Sequence, residues 1–211
     1  LGCYLRLALA PILEDGNPLM RIVLLGPPGS GKGTQATMLV EQLKLPHIST
    51  GALLRNAAKR GTALGLQAKA ITDKGELVPD DIMSDMIEER LGRDDVANGF
   101  ILDGYPRNVA QAESLDAMLE RLNTPADEAI HIDIDPEQII KRIAKRAKEE
   151  GRSDDTEETV RNRMRVYEEQ TAPVAAYYAE RGLLTRVLGN GDKEEVLQRI
   201  LSVLNLNSTS V

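Results

Sequence analysis

A glycine-rich segment that ends in a lysine and a threonine is the part of this sequence best suited to chemistry. It reads Gly-Pro-Pro-Gly-Ser-Gly-Lys-Gly-Thr over residues 26–34, after an apolar run at 21–25 and before a helical pattern of apolar residues at 35–43. Glycines let several backbone N–H groups turn toward one point, and a helix N-terminus and Lys32 add positive charge there. The segment therefore predicts a loop that binds polyphosphate.

The residue after this lysine departs from the generic phosphate-binding loop. The generic pattern continues with Ser or Thr, whereas here Gly33 follows Lys32 and the hydroxyl comes at Thr34. A turn that only joins a strand to a helix is the structural alternative, which Lys32 at the right offset disfavours. The loop alone does not distinguish a switch, a motor and a kinase.

An acidic residue, Asp103, ends a second apolar run, Phe-Ile-Leu at 100–102. An acid at that place can face phosphates on a neighbouring strand and hold a water bound to Mg²⁺. The alternative is a simple turn, because Asp-Gly is a turn dipeptide. The preceding apolar run favours the metal role.

Arginines recur along the chain in a way that suits phosphoryl transfer. Planar guanidinium groups match the equatorial oxygens over which a transferring phosphoryl group spreads its charge. Arg142 and Arg146 share one helix face, for which a solvated surface is the commoner explanation on spacing alone. The set consists of Arg55, Arg107, Arg142, Arg146, Arg152 and Arg163.

Alternating strand and helix patterns would position these side chains. Five short β-type runs, separated by helical stretches, lie at 21–25, 46–49, 100–103, 129–134 and 184–188. This alternation, with nearly continuous apolar strands, predicts an α/β fold in which a five-stranded parallel sheet is covered on both faces.

Composition excludes several classes of protein. The chain has 211 residues, 42% of them hydrophobic, and a net charge of −7, which fits a one-domain globular protein and disfavours nucleic-acid binding. No apolar run is long enough to span a bilayer. One cysteine and two histidines exclude a disulfide framework and a cysteine-rich zinc site, and they fit a reducing cytosol. Residues 1–19 form a poor secretory signal and are interpreted as an extension outside a domain at 20–211.

Several ordered motifs, from about residue 21 to the C-terminus, resemble the adenylate kinases of the nucleoside monophosphate kinase family. Besides the loop at 26–34 they are Ser-Thr-Gly-Ala-Leu-Leu-Arg (49–55), Asp-Lys-Gly-Glu-Leu-Val-Pro (73–79), Asp-Gly-Tyr-Pro-Arg-Asn-Val-Ala-Gln (103–111) and Gly-Arg-Ser-Asp-Asp (151–155). The resemblance implies a three-layer sandwich of the P-loop NTPase type. It also implies a cytoplasmic, monomeric enzyme that transfers phosphate from Mg·ATP to AMP, giving two ADP, with Mg²⁺ and without zinc.

The resemblance also implies roles for individual residues. Arg55 and Arg107 would grip the monophosphate, Arg142 and Arg146 the triphosphate, and Arg152 and Arg163 both during transfer; Lys32 would follow the transferring group. The expected catalytic set is Lys32, Arg107, Arg142, Arg146, Arg152 and Arg163. The expected ATP-binding set is Gly29, Ser30, Gly31, Lys32, Gly33, Thr34, Arg142, Arg146 and Gly191. The expected AMP-binding set is Thr50, Gly51, Leu54, Arg55, Glu76, Val78, Gly104, Arg107, Gln111, Arg152 and Arg163.

Two positions favour AMP as the acceptor. The amide of Gln111 can both donate to and accept from adenine, although an exposed helix residue is the commoner setting for glutamine. Pyrimidine-specific relatives typically carry Asn at that position and Ala at the position of Thr50. A UMP/CMP kinase and a non-catalytic nucleotide sensor are the alternatives.

Two segments are expected to cover the site: a helical monophosphate-binding insert at about 49–80 and a short lid at about 145–155. Only Ala-Lys-Glu-Glu-Gly separates Arg146 from Arg152, whereas many bacterial relatives have a lid of roughly thirty residues there. The short lid must still shield ATP from water. Asp154 and Asp155 would orient the arginines of the site. The alternative is an N-cap region before a helix at 156–167, and the two roles are compatible.

Overall fold

A five-stranded parallel sheet organises the computed structural model, which describes residues 19–135, 137–139, 142, 143 and 156–204. Its strand order is β2-β3-β1-β4-β5, and each neighbouring pair is parallel. The strands are β1 (Met20–Leu25), β2 (His47–Ser49), β3 (Gly99–Asp103), β4 (Glu128–Asp133) and β5 (Leu184–Leu188). The predicted α/β fold with a five-stranded parallel sheet is confirmed.

Helices connect and cover these strands. They are α1 (Lys32–Leu43), α2 (Thr50–Lys59), α3 (Ala63–Thr72), α4 (Asp80–Leu91), α5 (Val109–Arg121), α6 (Glu157–Val166), α7 (Ala172–Glu180) and α8 (Lys193–Val203). A π-helical stretch, Tyr167–Thr171, joins α6 to α7, and residues 137–139, 142 and 143 are also helical. Within the described ranges, the helices are too short or too polar to cross a membrane.

Alternate residues of the central strand β1 enter different cores. Ile22 and Leu24 pack in a cluster that includes residues of α1 and α8, whereas Val23 and Leu25 pack with residues of α4, α5 and α7. Burial on both faces explains why the strands lack polar alternation. The sheet is therefore the middle of three layers.

Four strands differ from their predicted bounds by one residue. β1 and β3 begin one residue early, at Met20 and Gly99, which are paired across the sheet. β2 begins one residue late, at His47, and β4 is displaced by one residue toward the N-terminus. Strand ends depend on hydrogen bonding to the neighbouring strand, which an apolar pattern does not record.

The strand order brings the candidate chemistry to one edge of the sheet. β1 lies between β3 and β4, so the loop after β1 and the acid at the end of β3 leave the sheet side by side; Leu24 and Asp103 are register partners. The chain also crosses here from one side of β1 to the other, and such switch points are where parallel sheets bind ligands.

Close packing of α2 against α3 gives a first prediction, for Gly65. A Cβ atom at Gly65 would lie 2.2 Å from the carbonyl carbon of Ala57 and 2.4 Å from the nitrogen of Ala58. We expect Gly65→Ala to lower the free energy of unfolding by about 1–3 kcal/mol, measured in urea, because the two backbones would have to separate. Gly92→Ala is the control, since its nearest neighbour would lie at 3.5 Å. Equal stability of the two variants would contradict this packing.

Candidate active site

The loop after β1 takes a conformation that requires glycine. Gly26, Gly29 and Gly31 have φ angles of +139°, +79° and +98°, a region that residues with a side chain rarely adopt. A Cβ atom at Gly26 would also lie 2.8 Å from the carbonyl oxygen of Ile132 in β4. α1 begins directly after Gly31, so its first N–H groups point into the loop and suit a bound anion.

Lys32 folds back over this loop. Its Nζ donates to the carbonyl oxygens of Gly26 and Pro27, at 2.7 and 2.9 Å, and lies 3.4 Å from Oγ of Ser30. The ammonium group therefore lies against the backbone that would surround a phosphate. Phosphate oxygens would take over part of its hydrogen bonding from these carbonyls.

Asp103 lies at the end of β3, next to the loop. Its Oδ2 is 3.5 Å from Nε2 of His47 and would be 3.6 Å from a Cβ atom at Gly33. Burial acts to raise the pKa of Asp103, but the nearby His47 and the positive charges of Lys32 and Arg107 more than offset it and lower the pKa below the ordinary value. Asp103 is thus an ionised carboxylate beside the phosphate-binding loop at neutral pH.

This carboxylate fits a magnesium ion held through water. Mg²⁺ keeps several of its waters and is commonly held by one carboxylate together with substrate phosphates. No group of three or more His, Cys, Asp or Glu side chains that could form a metal cage occurs within the described ranges. Because a water-mediated Mg²⁺ needs no such cage, Asp103 is compatible with the predicted role.

Three of the predicted acceptor-side residues meet in the turn that follows Asp103. Oγ1 of Thr50 donates to the carbonyl oxygen of Gly104 at 2.9 Å, and Nε of Arg107 donates to the same oxygen at 2.8 Å. Gly104 has a φ of +84°, and a Cβ atom there would lie 2.6 Å from Oγ1 of Thr50. A side chain at 104 would therefore separate the residues that this turn brings together.

Arg107 is the centre of a concentration of positive charge. Burial lowers the pKa of Arg107, and repulsion by Arg163 and Arg55 lowers it further, while Asp103 acts in the opposite direction. A guanidinium group nevertheless stays charged in proteins. Three guanidinium groups thus lie close enough to affect one another, and a dianionic phosphate would suit such a place. Arg55 lies over Gly51, where a Cβ atom would be 3.0 Å from its Nη1.

Contacts between α6 and the end of α3 place Arg163 beside this group. Thr159 and Asn162 donate through their side chains to the carbonyl oxygens of Asp73 and Lys74, at 3.0 and 2.6 Å. Arg163 itself donates to the carbonyl oxygen of Thr72 at 3.3 Å. One face of α6 thus satisfies the carbonyl groups that end α3.

Arg142 connects the phosphate-binding loop to the loop after β5. Its Nη2 donates to the carbonyl oxygen of Gly189 at 2.9 Å, and its Nη1 lies 3.4 Å from the carbonyl oxygen of Ser30. Ile143 packs on the same loop, because a Cβ atom at Gly29 would lie 2.9 Å from its Cγ1. The predicted pairing of Arg142 with the donor side is therefore geometrically reasonable, and the loop carrying Gly191 lies close by.

Some predicted residues lie outside the part of the chain that the structure describes. These are residues 1–18 of the extension and the whole lid at 145–155, with Arg146, Arg152, Asp154 and Asp155. The start of α6 is described: Thr156 accepts a hydrogen bond from the N–H of Thr159 at 3.2 Å and is the N-cap.

A buried histidine in β4 predicts how the stability of the protein depends on pH. Nδ1 of His131 lies 2.7 Å from Oδ1 of Asp133, and Nε2 lies 2.9 Å from the hydroxyl of Tyr167. Burial lowers the pKa of His131 below its ordinary value of 6.5, although Asp133 partly offsets this. The folded protein therefore binds this proton less readily than the unfolded chain does. The contribution of neutral His131 to the free energy of unfolding is therefore complete above pH 6.5. It is lost as the pH falls through the pKa of His131 in the folded protein.

We expect His131→Gln to remove part of this dependence. Between about pH 7.5 and about pH 5.5, the parent should lose roughly 1 kcal/mol more stability than the variant. Thermal unfolding at both pH values measures the difference. An equal loss in the two proteins would show that His131 does not titrate in this way.

Sequence reasoning missed several residues at this site. His47 was not a candidate because nothing in the sequence says that β2 lies beside β3. Asp80 and Asn108 were also missed. Both form hydrogen bonds with the predicted base-binding residue Gln111, and Asn108 donates to Asp80 as well. Gln111 is only 2% exposed, so the alternative of an exposed helix residue is wrong.

Comparison with known proteins places this chain among one group of relatives. The family model described as adenylate kinase matches residues 24–183. An adenylate kinase of Stenotrophomonas maltophilia (strain K279a) is 56% identical over 185 residues, which are 88% of this chain and 99% of the relative. One of Xanthomonas oryzae pv. oryzae (strain MAFF 311018) has the same identity and coverage. One of Xanthomonas campestris pv. campestris (strain 8004) is 56% identical over 86% of this chain and 97% of its own.

Proposed function

This chain belongs to the adenylate kinase family of phosphotransferases, and from that membership we propose that it transfers the γ-phosphoryl group of Mg·ATP reversibly to AMP, giving two ADP. The observation that carries this proposal is the arrangement of charge around Asp103. Asp103 lies next to the loop that carries Lys32, and the turn that directly follows Asp103 holds Arg107 with its neighbouring arginines. Two phosphate-binding groups of this kind suit a reaction between two nucleotides.

The proposed chemistry needs little from the protein beyond position and charge. An oxygen of the AMP phosphate forms a bond to the γ-phosphorus as the bond from that phosphorus to the β–γ bridging oxygen breaks. ATP thereby becomes one ADP, which is the leaving group, and AMP becomes the other. The acceptor oxygen is already ionised, so no general base is required. Catalysis then rests on alignment and on neutralising the charge of the transition state.

The residues of the candidate site would divide the work of holding the two nucleotides. The N–H groups of the loop at 26–31 and Lys32 would hold the ATP phosphates, with Arg142 beside them. Arg55 and Arg107 would hold the AMP phosphate, with Arg163 between the two nucleotides. Bound Mg²⁺ would neutralise phosphate charge, and Asp103 would orient it by accepting hydrogen bonds from its water.

The role of Asp103 predicts a specific defect. We expect Asp103→Asn to raise the Mg²⁺ concentration needed for half-maximal turnover and to lower kcat by about 10- to 100-fold, because an amide holds metal-bound water less strongly. A Mg²⁺ titration at fixed ATP measures both effects. Asp94→Asn, on an exposed short helix, is the control. An unchanged Mg²⁺ requirement in Asp103→Asn would contradict the role.

The choice of acceptor is tested by comparing monophosphates. The buried amide of Gln111 and the position of Thr50 beside Gly104 support AMP. Initial rates with AMP, CMP and UMP at saturating Mg·ATP should therefore be highest with AMP. A preference for CMP or UMP would indicate a pyrimidine nucleotide kinase instead.

A further inference from the structure

The side-chain amide of Gln111 is held from both sides. Its Oε1 accepts a hydrogen bond from the backbone N–H of Arg107 at 2.7 Å. Its Nε2 donates to Oδ1 of Asp80 at 2.7 Å. Gln111 lies in the first turn of α5 and is buried, so the amide is placed between two fixed partners.

Asp80 is itself held in place. It is the first residue of α4, two residues after Val78, and so belongs to the segment expected to line the base pocket. Both of its carboxylate oxygens accept from Nδ2 of Asn108 at 3.0 Å. Asn108 is the N-cap of α5, and its Oδ1 accepts from the backbone N–H of Gln111 at 2.8 Å. Asp80, Asn108 and Gln111 thus join the starts of α4 and α5.

These partners permit only one orientation of the Gln111 amide. An ionised carboxylate can only accept a hydrogen bond, and the N–H of Arg107 can only donate one. Turning the amide over would place Oε1 against the carboxylate of Asp80 and Nε2 against the N–H of Arg107. Both contacts would change from attraction to repulsion. In the observed orientation, one lone pair on Oε1 and one hydrogen on Nε2 are left for a ligand.

A fixed amide can distinguish purines that a rotating amide cannot. Adenine presents a donor at N6 beside an acceptor at N1, whereas a 6-oxopurine such as hypoxanthine presents an acceptor at O6 beside a donor at N1. A glutamine that can turn over pairs with either edge. One that is held in a single orientation meets the other edge with donor against donor and acceptor against acceptor, which is costly in a buried site.

We propose that Asp80 is a positioning residue that sets the purine specificity of the monophosphate site by preventing the Gln111 amide from turning over. The inference rests on the proposed function, since it takes Gln111 as the residue that reads the base. Asp80 acts only through Gln111 and need not touch the nucleotide. The chemical class that it excludes is the 6-oxopurine monophosphates.

The test compares AMP with IMP as acceptor in the parent protein and in Asp80→Asn and Asp80→Ala. Asparagine keeps the shape of Asp80 but can offer an acceptor or a donor, so it tolerates both orientations of Gln111; alanine removes the partner. We expect the parent to favour AMP in kcat/KM by at least about 100-fold. In both variants, this ratio should fall by about tenfold, because one of the two contacts that fix the amide is lost.

Asp81→Asn and Asp81→Ala are matched controls. Asp81 is the next residue of the same helix turn, and its Oδ1 accepts from the N–H of Ile82 rather than from Gln111. These variants remove the same charge from the start of α4 and should keep the AMP/IMP ratio of the parent. A purely structural role of Asp80 would lower kcat/KM for both nucleotides by one factor and leave the ratio unchanged.

Dissociation constants for AMP and IMP, measured without ATP, give the same ratio independently of turnover. An unchanged ratio in both Asp80 variants, by kinetics or by binding, would overturn the inference. The proposed function fails by a different result, namely a parent protein that does not phosphorylate AMP. An active parent whose Asp80 variants keep the ratio would therefore contradict only the role of Asp80.

Discussion

Replacement of Lys32 by methionine should lower kcat by roughly 100- to 1000-fold while the protein still folds. Lys32 is held over the loop by the carbonyl oxygens of Gly26 and Pro27, so its charge is in place before the phosphates arrive. Such a charge stabilises the transition state without reorganising during the reaction. Methionine keeps the length and the apolar stem but removes the charge.

A coupled assay for ADP formation measures this effect, with thermal unfolding as a check of the fold. Lys59→Met, on the exposed end of α2, removes the same charge at a distance from the loop and should retain activity. Turnover of Lys32→Met within a few-fold of the parent would show that the lysine has no role in transfer.

Replacement of Arg107 by lysine should lower kcat/KM for AMP by about 100-fold and change KM for ATP little. The substitution keeps the positive charge, so it tests the shape of the group. Nε of Arg107 is fixed by the carbonyl oxygen of Gly104 at 2.8 Å, which leaves the two terminal nitrogens for paired contacts with phosphate oxygens. Lysine provides one nitrogen and cannot form that planar pair.

The backbone of Arg107 adds to this fixed geometry, because its carbonyl oxygen accepts from Oγ1 of Thr171 at 2.7 Å. Arg121→Lys is the matched control, since that arginine is 59% exposed and pairs with Glu88. It should leave both kinetic constants unchanged. If Arg107→Lys raised KM for ATP as much as KM for AMP, the assignment of Arg107 to the acceptor side would be wrong.

Local patterns predicted the sheet and the phosphate-binding loop because both depend on residues close in sequence. Apolar runs separated by helical stretches specify strands buried on two faces, and glycines followed by a lysine specify the loop. Strand order is a property of the whole chain, so the neighbouring positions of His47 and Asp103 could not be derived from either residue. The AMP-side and ATP-side assignments likewise depended on resemblance, not on spacing.

Side-chain hydrogen bonds between distant segments were the part that sequence did not reveal. From sequence alone, Asp80 is only an acid whose charge is favourable at the N-terminus of a helix. In the structure, the carboxylate of Asp80 also accepts hydrogen bonds from Asn108 and Gln111. Thr159 and Asn162 carry no sequence signal that distinguishes them from other polar helix residues. Their side chains nevertheless donate hydrogen bonds to the carbonyl oxygens at the end of α3. Both sets of contacts exist only once the helices have packed.

In the proposed reaction, two nucleotides exchange one phosphoryl group at this edge of the sheet. The most direct measurement is the ³¹P NMR spectrum of the protein with Mg²⁺, ATP and AMP, followed over time. We expect ATP and AMP to disappear together in equal amounts as ADP appears, and ADP given as the only nucleotide to form ATP and AMP. Release of inorganic phosphate from ATP with AMP unchanged, or no reaction at all, would contradict it.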